Sequence, residues 1–297
     1  MMDYKLPSLI IPGAPKCGTT SLHRYLSEHP RIFFPEIKEP NFFAKDIWKS
    51  NHLTWKNYIS LYEGQKRGAI AGDASTGYLF SEDAIPLIES TLDRPQYIVC
   101  VRNPVDLASS YHAELLFQGI ENVSDFESAW RMQDRRRSGL SKLPFNCPSY
   151  KLLMYRDVAS VGSHLRRLSQ HVEKARILVV FLEELALDPK TEYLRILYFL
   201  GLEDDGRNFF PTVNPYGARR WPIAHRLIRP LVSMKNALGL GYMARLNAVY
   251  DGLNSKKRPK PTLSENFLLE LRQVFESEVD ELSMFTGKDA YKIFSID

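Results

Sequence analysis

The ten residues Pro12 to Ser21, PGAPKCGTTS, constrain the fold of this chain more than any other stretch. They join an apolar run, Leu6 to Ile11, to a helix-like stretch that begins at Ser21. Small residues between a strand and a helix let backbone N–H groups converge on an anion, and the helix N-terminus adds its dipole. Gly13 and Gly18 stand at the spacing of the nucleoside-triphosphate loop G-x-x-x-x-G-K-[ST], but Thr19 occupies the lysine position. The cation is instead Lys16, inside the loop. There it would lie nearer a terminal group on a 5′-phosphate than between β- and γ-phosphates, so the cradle is kept while triphosphate chemistry is disfavoured. Taken alone, a Gly/Pro turn before a helix is also ordinary punctuation.

A second apolar run, Tyr97 to Val101, ends at Arg102 and is followed by Asn103-Pro104 and a helical pattern through Phe117. In a triphosphate enzyme such a strand often ends in Asp to hold magnesium. Here the strand end carries a cation, and Ser109, Ser110 and Tyr111 follow about two helical turns later. An arginine and a hydroxyl converging there suit a monophosphate, because guanidinium binds phosphate oxygens bidentately. The bland alternative is a surface Arg102 paired with Asp106 across the first helical turn.

Together, PKCGTTSL and VRNPVDLASSY resemble the 5′-phosphosulfate loop and the 3′-phosphate site of sulfotransferases that use 3′-phosphoadenosine 5′-phosphosulfate. Between them KEPNFF, Lys38 to Phe43, is similar to the K-E-x-x-F-F segment of the heparan-sulfate-like and bacterial branch of that family. FESAW from Phe126, ILVVFLEEL from Ile177 and FLGL from Phe199 also fit, so the resemblance runs from about Leu6 to Gly201. It implies an α/β, P-loop-like three-layer fold with a central parallel sheet flanked by helices.

The resemblance also implies site roles. Lys16, with Cys17, Gly18, Thr19, Thr20 and Ser21, would hold the 5′-phosphosulfate, and Lys16 would stabilise the leaving phosphate. Glu39 matches the general base, with Lys38 beside it. Ser110 and Arg102 would hold the 3′-phosphate, and Ser110 would temper donor hydrolysis. A basic loop at 214–222, NPYGARRWP, would close over the nucleotide through Gly217 and either Arg219 or Arg220, with Trp221 a candidate for stacking on adenine. Asn41 stands where the heparan branch often has histidine, so the acceptor, a glycan or small-molecule hydroxyl or amine, stays open. The reaction would yield adenosine 3′,5′-bisphosphate and require no metal.

At 297 residues and 44% hydrophobic, the chain can bury one large core, and a single domain over 1–297 is expected. A net charge of +4 is too slight to argue for nucleic acid as a partner. No stretch approaches the roughly 18 consecutive apolar residues of a membrane span, and the N-terminal apolar run is too short for a signal-peptide core. Cys17, Cys100 and Cys147 are odd in number and scattered, which points to a reducing cytoplasm rather than a disulfide frame or zinc site, while the lack of a signal or anchor segment leads to the expectation of a soluble, bacterial enzyme. Cys17 beside Lys16 reads as a small filler in preference to a nucleophile.

Strand-like runs at Leu6–Ile11, Ala69–Ala71, Tyr97–Val101 and Ile177–Phe181, separated by helical patterns, predict βαβ units with ligands at the strands' carboxyl ends. Helices are expected over His164–Val172, over Lys190–Leu200 with Gly201 as C-cap, and over Ser264–Thr286. Arg131 to Arg137, RMQDRRR, reads either as an entrance for an anionic acceptor or as a solvated helix face. Ile223 to Leu246 reads as an interfacial helix or an acceptor-side lid, and Ser255 to Lys260 as a solvated linker. Phe42 and Phe43 read as core or cleft-wall aromatics. The leading rival is a P-loop kinase, in which Asp73 at the end of IAGD would hold magnesium and Thr20 would be its hydroxyl ligand. A non-catalytic nucleotide-binding module is the other alternative.

Overall fold

The computed structural model describes residues 6–48, 53–211 and 263–296, together with the backbone of 217–219 and 255–257. The first strand, β1 (Leu9–Gly13), is buried at all five positions, as an apolar run without alternation requires when a parallel strand is covered on both faces. There follow α1 (Thr19–Ser27), β2 (Ile32–Phe33), α2 (Trp55–Ser60), β3 (Ile70–Asp73), α3 (Ala84–Thr91), β4 (Gln96–Val101) and α4 (Pro104–Gln118). Next come α5 (Phe126–Arg131), α6 (Gln133–Arg137), α7 (Tyr155–Ala159), α8 (Val161–Ser169), β5 (Ile177–Phe181), α9 (Leu182–Leu187) and α10 (Pro189–Phe199). The described chain closes with α11 (Glu265–Thr286) and α12 (Ala290–Phe294).

The strands form one parallel sheet in the order β2-β3-β1-β4-β5. This is the expected α/β, P-loop-like arrangement of a central sheet flanked by helices. Four of its strands are the four apolar runs: Ile177–Phe181 coincides with its strand, and the other three differ at one or both ends by one to three residues. β2 escapes sequence reading because two residues carry no period. Gly201 follows α10 with φ of 66°, the left-handed turn expected of a helix terminator.

Helix α11 starts where Ser264 accepts a hydrogen bond from the Phe267 N–H, which settles the capping residue. Phe267, Leu271, Phe275, Val279 and Leu282 recur every three or four residues and are all buried, laying one face of α11 against α4 and α8. Burial of each such side chain stabilises by roughly 1.5–3 kcal/mol. The approach to α8 depends on Gly162: a Cβ there would lie 2.4 Å from the Glu278 carbonyl oxygen. Ser163 then donates from both N and Oγ to the Glu278 carboxylate, each at 2.8 Å.

The RMQDRRR run lies mostly on the surface: Arg131, Arg135 and Arg137 are exposed, Arg137 borders a surface cavity, and Arg136 is the buried one of its arginines. Arg131 pairs with Glu127 and with Glu270 on α11, and Arg137 forks onto Asp157 at 2.8 and 3.0 Å. Arg136 is 2% exposed and donates to both oxygens of buried Glu121, at 2.7 and 2.9 Å, while the Tyr155 hydroxyl also donates to Glu121. Arg136 is absorbed because Glu121, 15 residues away in sequence, comes to meet it, a signal that local charge patterning does not carry.

Removing one member of that buried pair strands the other. Glu121→Gln should cost about 3–5 kcal/mol in chemical denaturation, and the doubly apolar variant Glu121→Leu/Arg136→Met should regain most of it. A single-variant loss below about 1 kcal/mol would show that water reaches the pair.

Candidate active site

From β1 the chain builds β2 and β3 to one side and then returns to the other side as β4, so the crossover lies at the carboxyl ends of β1 and β4. The loop Ala14–Gly18 leaves β1 there, and Arg102 leaves β4. Gly18 precedes α1 with φ of 83°, and a Cβ on it would lie 2.7 Å from Leu182 Cδ1, so a larger residue is strained and obstructed. Having no side chain, Gly18 supplies no capping oxygen, and the first turn of α1 contains no acid. The helices α4, α5 and α10 are capped by Asn103, Asp125 and Asp188. The first-turn N–H groups of α1, at Thr19, Thr20 and Ser21, therefore receive no cap from the preceding side chain, as an anion cradle requires.

The loop's charges are held in pairs. Lys16, with φ of 62°, places Nζ 2.9 Å from Glu114 Oε2, and Glu114 Oε1 accepts from Gln118 at 2.8 Å. Arg102 donates to the Lys16 carbonyl and to Asp106, both at 3.4 Å. The Asp106 pairing weighed from sequence thus exists, alongside a contact that ties the β4 end to the phosphate loop. Ser110, one helical turn before Glu114, is 1% exposed and its Oγ has no hydrogen-bond partner among the described residues. An unsatisfied buried hydroxyl costs about 1–3 kcal/mol, which an anion's oxygen would recover. These residues fit a nucleotide with a second phosphate.

Cys17 is fully buried, and burial pushes its thiol well above the usual range, so it fills the loop and is no nucleophile. Two acidic residues escaped the sequence reading. Glu114 carries no local motif, and Glu183, inside FLEEL, accepts from the Asn103 N–H at 3.2 Å while its other oxygen is buried without a partner. Burial raises the Glu183 carboxyl above its ordinary value.

On the other side of β1, Glu39 accepts from Thr76 Oγ1 at 3.1 Å and lies 3.6 Å from Lys38 Nζ. The same ammonium donates to Thr20 Oγ1 at 2.7 Å, linking the first turn of α1 to the Glu39 segment. Phe43 is buried and Phe42 stacks on Tyr58 with ring centroids 4.5 Å apart, so both aromatics belong to the wall and core. Asp73 is fully buried at the end of β3. It accepts from Ser75 at 2.7 Å, Tyr58 at 2.8 Å and Tyr78 at 2.9 Å, which is the cage of a structural carboxylate and not a site open to magnesium.

Of the basic loop, Gly217 and Arg219 belong to a short backbone strand, Gly217–Arg219, paired antiparallel with Ser255–Lys257 and passing beside α4. Arg220, Trp221, the stretch 223–246 and residues 258–260 lie outside the described residues. A cavity of about 530 Å³ lined by Phe80, Tyr150, Lys151, His164, Arg166 and Arg167, among others, shares no residue with the phosphate loop. Among the described residues no cluster of three or more His, Cys, Asp or Glu could hold a metal, and no helix is long and apolar enough to cross a membrane.

A glycine-bracketed loop at the crossover of a parallel sheet, with a lysine inside the loop and an arginine at the next strand end, is a P-loop-like arrangement. Residues 6–208 match the family model for the sulfotransferase domain, and the chain belongs to that family. It is 26% identical over 288 residues, 96% of its length, to mouse heparan sulfate glucosamine 3-O-sulfotransferase 3B1, and it spans 64% of that relative's length. A 113-residue stretch, 36% of this chain and 23% of the relative, is 34% identical to the membrane-associated sulfotransferase kil1 of Dictyostelium discoideum. A solved sulfotransferase from Alicyclobacillus acidocaldarius superposes with a TM-score of 0.70 at 22% identity, covering 97% of this chain and 98% of its own, which shows the shared fold.

Burial raises the Asp73 carboxyl from 3.8 to about 6, ahead of the lowering effect of its three hydroxyl donors. The folded chain therefore holds a proton that the unfolded chain releases. The resulting stability is complete below about pH 4 and is lost as pH rises through 6, on the order of 3 kcal/mol in all. Unfolding free energies of the wild type and Asp73→Asn between pH 4 and 7 should differ by that slope, and parallel curves would place the carboxyl at its ordinary value.

Proposed function

We propose that this protein transfers the sulfuryl group of 3′-phosphoadenosine 5′-phosphosulfate to a hydroxyl or amine of a glycan or small-molecule acceptor, releasing adenosine 3′,5′-bisphosphate. The observation that carries this reading is the Lys38 ammonium, which contacts both Thr20 in the phosphate cradle and Glu39. It puts an anion site and a carboxylate with a third of its side chain exposed at either end of one cation.

The donor supplies an electrophilic sulfur and a phosphate leaving group. Backbone N–H groups of the Cys17–Ser21 turn would hold the 5′ end, and Ser110, Arg102 and the 217–220 segment would hold the 3′-phosphate. Lys16 would exchange Glu114 for the oxygen on which charge develops, so its bond strengthens as the reaction proceeds. Glu39 would take the acceptor's proton, oriented by Thr76 and Lys38. A kinase reading loses its magnesium ligand, since the oxygens of Asp73 are committed to three hydroxyls.

Calorimetric titration of the metal-free protein should show adenosine 3′,5′-bisphosphate binding in preference to ATP with magnesium. The reverse preference would overturn the assignment. With an acceptor in hand, Glu39→Gln should keep bisphosphate affinity and lower turnover by roughly 10²–10⁴-fold, and undiminished turnover would remove Glu39 as the base. Lys16→Ala should lower the rate at saturating donor by about 10²–10³-fold, whereas a loss confined to donor affinity would reassign Lys16 to binding alone.

A further inference from the structure

The Glu39 segment is locally awkward. Glu39 and Asn41 both have left-handed backbone conformations, with φ of 57° and 51°, which side chains other than glycine's adopt only when the surroundings hold them. The Asn41 side chain donates to the Glu39 carbonyl at 2.9 Å, a tie within the segment. Two hydroxyls reach its backbone from outside. The Asn41 N–H donates to Ser75 Oγ at 3.1 Å, and the Phe43 N–H donates to the Tyr78 hydroxyl at a longer 3.5 Å.

Both hydroxyls give their own proton to Asp73. A hydroxyl has one proton and two lone pairs, and a carboxylate only accepts. With each proton committed to Asp73, the lone pairs of Ser75 and Tyr78 are what remains to meet the two backbone N–H groups. The turn that carries them, closed by Tyr78 N–H to the Ser75 carbonyl at 3.1 Å, also carries Thr76, the residue that donates to the Glu39 carboxylate.

We infer that Asp73 is a positioning residue for Glu39: through Ser75 and Tyr78 it clamps the peptide groups of Asn41 and Phe43, and it anchors the turn from which Thr76 orients the carboxylate. The inference rests on the reading of Glu39 as general base. The third donor to Asp73 provides the control. The Tyr58 hydroxyl bonds to the same carboxylate but to no backbone group of the segment, and Tyr58→Phe keeps the ring that stacks on Phe42.

The test compares Ser75→Ala, Ser75→Thr and Tyr58→Phe in the full chain. Ser75→Ala should lower kcat about 10- to 100-fold, the scale expected when a reacting group is misplaced by a fraction of an ångström to an ångström. Its affinity for adenosine 3′,5′-bisphosphate should stay within about threefold, and exchange of the Asn41 amide hydrogen should accelerate. Ser75→Thr, which retains the hydroxyl, should recover most of kcat. Tyr58→Phe should lower the melting temperature by a similar amount yet keep kcat within about threefold. Equal kcat losses in Ser75→Ala and Tyr58→Phe would reduce the clamp to a stability effect, and an Asn41 amide that stays protected in Ser75→Ala would remove the clamp itself. Glu39→Gln separates the two layers: if it retains turnover, the base assignment fails and the positioning role with it. If it abolishes turnover while Ser75→Ala keeps kcat, the positioning role alone fails.

Discussion

Everything at this site depends on where β1 sits. A parallel strand with neighbours on both sides must send the chain away to one side and receive it back on the other, and the loop leaving it opens into the gap between the two paths. That gap is where a helix can begin without being covered. Gly18 makes use of it: the residue at the capping position of α1 has no side chain, and the close approach of Leu182 keeps it so. The anion site is thus a consequence of topology and of one missing cap, with the lysine and arginine added to it.

On the proposed reading, a site for a polyanion has to survive without one. Converging cations repel each other, and a half-buried ammonium with no partner is costly. Here each cation has a temporary carboxylate: Lys16 has Glu114, Arg102 has Asp106 and Lys38 has Glu39. These pairs are partly exposed and therefore weak, on the order of 1 kcal/mol or less each. A bound phosphate, with more charge and more acceptor oxygens, can displace them at small cost. Among the described residues Ser110 Oγ has no such stand-in, which on the proposed reading makes its buried hydroxyl sensitive to occupancy.

The sheet was legible because buried parallel strands leave apolar runs, and Ile177–Phe181 was readable to the residue. The phosphate loop was legible because glycine spacing before a helix has few other uses. Glu114 and Glu183 were not: each acts through a partner at least 80 residues away, Lys16 or Asn103, and nothing local distinguishes either from a surface glutamate. The RMQDRRR run was legible in part: its three exposed arginines fit a solvated face, but charge patterning cannot show that Glu121 comes to meet Arg136 in the core. Packing of distant segments decides whether a charge is solvated, paired or functional.

Asp73 shows how such an ambiguity resolves. An acid at the end of a parallel strand beside a phosphate loop is read from sequence as a metal ligand, because that is where triphosphate enzymes place one. A ligand needs a lone pair directed into the crevice. The hydroxyls of Ser75, Tyr58 and Tyr78 take up both oxygens from the protein side, and the carboxyl is fully buried behind them. The position at the end of β3 is the same, but the charge is turned inward onto the segment that carries Glu39. With loop geometry shared and the carboxylate turned inward, what separates a triphosphate site from this one is the direction a single acid faces, together with the lysine moved three places back, from the position of Thr19 to Lys16 inside the loop.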